Sequence, residues 1–286
     1  MKAAVLTVAA GLLLVGTACG ERSEPTGAHL RIYPVTVQGA SERPAVERAA
    51  PQRIVPLGAG PRSILRALGL GKRMIPVDDS LVGLPLVDRI RRARPDLIVA
   101  SGEADPLDLA RARAATHAAV YVEPDSSLDD VAAAIDDIGL LTGRPVAARR
   151  LSGSLEQARR RVAARLASFP AVSTFADLGG FMTISSRSLI GDLIAKAGGT
   201  SIAGPAPEQG PFPIRRLVQL DPEAYVAVGS GTTTLARLRA GAKTRRIRAV
   251  RTGRFGVVKS RLVVPGPQLG AALVQIARIL HPDAFH

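Results

Sequence analysis

The side chains able to ligate a metal or attack a carbonyl are few and scattered. The 286-residue chain holds one cysteine, Cys19, and four histidines: His29, His117, His281 and His286. No two histidines stand three or four residues apart, so no helical turn pairs them as metal ligands. A lone cysteine excludes an internal disulfide and a cysteine-ligated zinc. A Ser-His-Asp triad would have to be assembled from distant segments. The acid pairs Asp78-Asp79 and Asp129-Asp130 have no defined partner; capping and loop solvation explain them. Gly58-Ala-Gly60 follows an apolar run, as a dinucleotide loop does, but the third glycine is missing. No catalytic residue, metal site or resident cofactor is expected. What remains is recognition. Arg62 and Arg187 each open a helix-like stretch and carry planar donor forks suited to anionic oxygens. Phe181, Met182 and Phe212 offer apolar walls, and Glu103 an acceptor.

Cys19 has a context of its own. One lysine, Lys2, precedes an apolar run from Ala3 to Ala18, which is too short for a comfortable span of about 20 residues. A positive start, a short apolar core and small residues at the end make a secretory signal. Gly16-Thr-Ala-Cys19 resembles the lipobox of bacterial lipoproteins, with Gly16 where Leu or Val is usual. Cleavage after Ala18 and lipidation of Cys19 are expected, and two or three acyl chains anchor firmly. Residues 19–51, rich in Gly, Ser, Pro, Glu and Arg, read as a flexible tether.

Composition narrows the function. Hydrophobic residues make up 47%, enough for real cores. Aromatics are 3% with no Trp, which disfavours an aromatic cage. The net charge is +14. That balance favours anionic ligands or phospholipid surfaces. The arginines run along the chain without interleaved aromatics, so no nucleic-acid partner is expected. The segment Arg237 to Arg261 stands out, with ten Lys or Arg and no acid.

From Arg53 the periodicity predicts alternating strands and helices. Strands are expected at Arg53–Gly58, Met74–Asp78, Pro95–Ala100 and Ala118–Glu123. Helices are expected at Arg62–Gly69, Leu84–Arg92, Asp105–Thr116 and Ser127–Leu141. Such alternation argues for a parallel sheet covered on both faces. Arg144 to Ser168 reads as one long helix. A second set follows: strand Val172–Leu178, helices Ser188–Ala197 and Ile214–Leu220, strand Tyr225–Val228 and helix Thr232–Arg239. Strands near Arg246–Val250 and Gly256–Val264 and a helix Pro267–Leu280 complete it. Tyr121 reads as core.

Several segments, in order, resemble the substrate-binding lipoproteins of ABC importers in the helical-backbone metal receptor superfamily. They are Arg53-Ile-Val-Pro-Leu, Pro95-Asp-Leu-Ile-Val-Ala, Leu140-Leu-Thr-Gly-Arg-Pro, Leu189-Ile-Gly-Asp-Leu-Ile-Ala-Lys-Ala-Gly-Gly, Leu217-Val-Gln-Leu-Asp-Pro-Glu and Pro265-Gly-Pro-Gln. The match spans about residues 53 to 282. It implies an α/β fold of two Rossmann-like lobes, 52–143 and 170–286, joined by a single long helix, 144–169, with a ligand cleft between the lobes.

The resemblance also implies an extracytoplasmic monomer, lipid-anchored to the outer face of the cytoplasmic membrane. It would deliver a metal chelate or tetrapyrrole to a permease. Scarce aromatics put a ferric siderophore ahead of haem and cobalamin. Ligand contacts are expected on strand C-terminal loops, at Arg62, Asp79, Glu103, Phe181, Arg187, Phe212 and Gln268. Gln268 stands where many relatives carry Arg. Permease docking in the family uses one acid per lobe. The matching positions are Asp88 and Arg215, the second with its charge reversed and Glu208 nearby. Two other readings stand beside this one: an enzyme, and a surface lipoprotein of the same fold with a sensing or envelope role.

Overall fold

The computed structural model describes residues 33–77, 84–205, 209–229 and 233–285. Cys19, Asp79, Glu208, His29 and His286 lie outside them, as do the signal peptide and the start of the tether. The described residues belong to one compact unit.

A hairpin comes first. Strands β1 (Val35–Val37) and β2 (Ala45–Glu47) pair antiparallel. This corrects the tether expectation for residues 35–47. Val37 and Ala45 alternate inward into the core, and Ala40 N–H donates to the Val122 carbonyl at 2.8 Å. A three-residue strand is too short to show its period in the sequence.

The first lobe continues with β3 (Ile54–Leu57), α1 (Ala59–Ala67), α2 (Leu86–Ala93), β4 (Leu97–Ala100), α3 (Pro106–Thr116), β5 (Ala119–Val122) and α4 (Leu128–Leu141). Its sheet is parallel in the order β3-β4-β5. The strand expected at Met74–Asp78 shrinks to a single bridge between Met74 and Ile54. Strands and helices alternate here because the strands are continuous apolar runs, with Leu97 to Ala100 fully buried. Helix starts are marked by side chains: Asp105 accepts from Leu107 N–H at 2.8 Å and Ser127 from Asp130 N–H at 3.0 Å. Tyr121 is core as expected, with its hydroxyl donated to Asp137.

Helix α5 (Pro145–Leu166) is the long connector. Its 22 residues extend about 33 Å. Pro145 sits at the first turn, where a missing N–H does no harm. Ala148, Ser152, Leu155, Ala158, Val162 and Leu166 form one buried stripe.

The second lobe runs β6 (Val172–Asp177), β7 (Met182–Thr183), α6 (Leu189–Lys196), β8 (Gly199–Ser201), β9 (Gly210–Pro211), α7 (Ile214–Leu220), β10 (Ala224–Val228), α8 (Leu235–Ala240), α9 (Arg248–Thr252), β11 (Phe255–Val258) and α10 (Leu269–Leu280). Its sheet is parallel in the order β11-β10-β6-β8, with β7 and β9 a small antiparallel pair. The segment 246–250, expected as a strand, is helical: α9 caps the outer face of the sheet, where Ala249 and Val250 are buried. The expected strand 256–264 ends at Val258 and a short 3-10 turn follows.

Two close approaches fix the connector to both lobes. A Cβ on Gly139 of α4 would collide with Ala148 of α5. A Cβ on Gly270 of α10 would stand 3.2 Å from Ala158. Gly139→Val should therefore destabilise by about 1–3 kcal/mol through overpacking. Gly153→Ala, in the same α5 but facing open space, should instead stabilise by about 0.5–1 kcal/mol. Urea unfolding of both variants checks the pair; equal midpoints would refute the close crossing.

Candidate functional site

Parallel sheets present their strand C-termini to a common edge, and loops there are the natural ligand positions. In the first lobe these loops follow Leu57, Ala100 and Val122. In the second they follow Asp177, Ser201, Val228 and Val258. The lobes meet through a short polar seam. Ser63 of α1 donates to Gln268 Oε1 at 3.0 Å, and Gln268 Nε2 donates to the Val264 carbonyl at 2.6 Å. Asp192 of α6 accepts from Leu128 N–H at 2.8 Å, and Lys196 bridges Asp129 and Asp192. A Cβ on Gly60 would meet Glu123 of the first lobe and stand 3.0 Å from Pro265 of the second. That glycine permits the approach of the lobes.

Glu123 is the electrostatic anomaly of this seam. It is 0% exposed, and neither carboxyl oxygen has a hydrogen-bond partner. Burial, with the Asp125 charge as a second cause, pushes its carboxyl up to about 8. Asp125 is also raised, chiefly by burial, against the opposing donation of Gly102 N–H at 3.4 Å.

Asp177 organises the second lobe's rim. Its Oδ1 accepts from the N–H groups of Gly179 and Phe181, both at 2.9 Å. Its Oδ2 accepts from the hydroxyls of Tyr225 and Thr233, both at 2.7 Å. The carboxylate holds Phe181 in a left-handed conformation, φ 65°, that a bulky residue avoids.

The expected contact residues are distributed as follows. Arg62 on α1 and Arg187 before α6 are exposed. Glu103 is exposed and lines a cavity of about 270 Å³ with Leu57, Gly58, Ser101 and Asp105. Gln268 is half-buried in the seam, occupied by Ser63 and Val264. Phe181 is half-buried against the second core. Phe212 is buried, its ring 5.3 Å from Phe175 and covered by Arg216 at 5.5 Å, so its faces are taken by the protein itself. Asp88 lies in the first turn of α2, paired with Arg91 at 3.0 Å; Arg215 is exposed in the first turn of α7. His117 ends α3, and His281 is buried against the Gly198 carbonyl.

Sequence reasoning missed Ser63 and Asp177, and it placed Glu123 only as the first residue of a strand-end loop, 123–126, without a role. Asp177 had a signal, an acid at a strand end followed by Leu-Gly-Gly. Glu123 had a weaker one, a lone acid closing an apolar strand. A larger cavity, about 1130 Å³, lies apart from the seam, between the β1–β2 turn and α3, with Arg43, Leu109, Arg113 and Val122 among its walls. Burial, then the neighbouring Arg43, pulls the Arg113 guanidinium down. Among the described residues no helix is long and apolar enough to cross a membrane.

Comparisons agree with this geometry. A family model described as periplasmic binding protein matches residues 55–262. No curated protein matches the sequence. Among solved structures, Helicobacter pylori CeuE with a nickel–histidine complex is similar at 14% identity, with TM-score 0.74, covering 88% of this chain and 89% of that one. The vitamin B12-binding protein BtuF of Vibrio cholerae is similar at 17% identity, with TM-score 0.70, covering 82% and 99%. A protein of the Fe3+-hydroxamate transport system of Saccharomonospora viridis is similar at 20% identity, with TM-score 0.67, covering 86% and 99%. Such identities carry the fold alone. The family match spans both sheets and the strut between them, and on that ground the chain belongs to the periplasmic binding protein family.

Proposed function

We propose that this protein is the extracytoplasmic substrate-binding lipoprotein of an ABC importer, anchored through Cys19, that captures a ferric siderophore and hands it to a permease. Haem and cobalamin are the alternative cargoes. The observation that carries the reading is architectural. Two separate parallel sheets turn their strand C-termini toward a shared seam, and one strut, α5, packs on both lobes. On this reading Arg62 and Arg187 meet anionic oxygens of the cargo, with Glu103 and Gln268 on the polar rim and Phe181 on the apolar wall; Asp79 is proposed as a further polar contact from the sequence alone. Phe212 supports that wall from behind. Asp88 and Arg215 face the permease, so the permease surface opposite α7 would be acidic. The exposed Arg215 and Arg216 also favour a second reading, a surface lipoprotein with a sensing or envelope role.

The chain has no Trp, so heat denaturation followed by circular dichroism is the natural assay. A ferric hydroxamate siderophore at a hundredfold excess over Kd should add about 2.7 kcal/mol of stability. Haem and cobalamin are the comparison ligands. Replacing both Arg62 and Arg187 with alanine should weaken the siderophore at least about tenfold while leaving the unliganded Tm unchanged. No shift with any of the three ligands would overturn the importer reading.

A further inference from the structure

The net charge of this molecule is localised. Arg237 to Arg261 hold ten cationic residues and no acid, while the rest of the chain holds 28 basic residues against 24 acidic ones. Most of the +14 therefore sits in 25 consecutive residues.

The fold lays residues 237–252 of that segment, with seven of its ten cations, as a cap on one side of the second lobe, while Arg254, Lys259 and Arg261 flank β11. Helix α8, the 3-10 turn Thr244–Arg246 and α9 pack against one another, and α7 packs against the same turn. Leu238, Thr244, Ile247, Ala249 and Val250 point inward and are buried. The outward positions are of two kinds. Arg239, Lys243, Arg245, Arg246, Arg248 and Arg251 are exposed; between them lie short side chains, Ala236, Ala240, Ala242 and Thr252. Arg239 Nε donates to the Val250 carbonyl at 3.4 Å, which ties α8 to α9.

Counter-charges are few. Glu223 pairs with Arg248 at 2.8 Å and Asp221 with Arg251 at 3.8 Å. Lys243, Arg245 and Arg246 have no ion-pair partner among the described residues. Arg215 and Arg216 of α7 extend the face. No exposed aromatic stands among these cations to stack a base, which disfavours single-stranded nucleic acid. A cavity of about 490 Å³ adjoins the end of α9, beside Arg248, Thr252 and Arg254, but Lys243, Arg245 and Arg246 stand apart from it, and such a broad cationic face fits a diffuse anionic surface.

We propose that the cap formed by α8, the 244–246 turn and α9 is a contact face for anionic phospholipid headgroups. It would hold the second lobe against the membrane surface by charge alone, independently of any acyl anchor and of the cargo. The contact is electrostatic, so it weakens as salt shortens the screening length.

The test uses full-length protein and two vesicle preparations, phosphatidylcholine alone and phosphatidylcholine with an equal part of phosphatidylglycerol. Any insertion of apolar segments is common to both, so the difference between them reads the charge contribution. Co-sedimentation at low salt should show at least about tenfold stronger partitioning to the phosphatidylglycerol vesicles, and high salt should abolish the difference. The triple variant K243E/R245E/R246E should lose about tenfold or more of that preference, and K243Q/R245Q/R246Q a smaller part. The control R149E/R150E/R161E makes the same change of net charge on exposed positions of α5 and should keep the preference. Unchanged melting temperatures exclude misfolding of the variants. Equal partitioning to the two vesicles would overturn the proposal, and so would equal losses in the cap variant and the α5 control.

Discussion

Glu123→Gln will flatten the pH dependence of stability and strengthen the fold above neutrality. The Glu123 carboxyl ionises near 4.5 in the unfolded chain and about 8 in the folded one. The folded state therefore holds the extra proton through that window. Stability is full below about 4.5, falls as pH rises, and levels off once the folded carboxyl has ionised above about 8. Each pKa unit corresponds to about 1.4 kcal/mol, so the window could hold several kcal/mol, less whatever the site recovers by admitting water. Glutamine keeps the shape and removes the ionisation. Its amide still lacks partners, which costs about 1–3 kcal/mol at every pH. The net expectation is a gain of about 1–3 kcal/mol at pH 8 and a small loss at pH 5. Glu47 is also raised by burial, then by the Asp96 charge, to about 7, and it contributes to the same slope below that value. Urea unfolding of wild type and variant across the window reads the difference. Parallel stability curves would show that Glu123 is ionised in the folded protein and that the seam admits water or a counter-charge.

Glu123 also shows where sequence reasoning stops. The α/β alternation of each lobe, the long connector and the helix starts at Ser127, Ser188 and Asp105 were legible, because periodicity and capping are local properties; β8 (Gly199–Ser201), which joins the second sheet, was not. The hairpin at residues 35–47 was not, since a pair of three-residue strands owes its existence to contacts with β5 and α4. The segment around Val250 carries β-branched residues beside arginines and read as a strand. Tertiary burial of Ala249 and Val250 on the sheet overrode that propensity. Which loops follow the strand ends was legible. Burial was not: Phe212 reads the same in sequence whether its ring faces a cleft or Phe175. Glu123 and Asp177 are both acids at strand ends, yet one is orphaned and the other accepts four hydrogen bonds. That distinction arises from Gly60 and Pro265 in one case and from Tyr225 and Thr233 in the other, all distant in sequence.

The second large effect belongs to Asp177. Alanine there removes four acceptor contacts at once and strands the Tyr225 hydroxyl, which is buried between Phe175 and Phe255. It also frees Phe181 from the bond that offsets its left-handed backbone. A loss of about 3–5 kcal/mol is expected, in the range for breaking a buried charged network. Asparagine separates charge from geometry. Its oxygen can still accept from Gly179 and Phe181, and its amide can donate to Tyr225 and Thr233, whose hydroxyls turn to accept. Asp177→Asn should therefore cost only about 1–2 kcal/mol. Tyr225→Phe deletes one donor and keeps the packing, for about 1 kcal/mol. Urea denaturation ranks the three. If alanine and asparagine are equally damaging, the negative charge itself is what the second lobe needs, and some cation outside these four donors must face it. If alanine costs no more than Tyr225→Phe, then the Gly179–Phe181 turn holds its shape without the carboxylate, and the rim of the second lobe is built by packing on Phe175 rather than by this hydrogen-bonded hub.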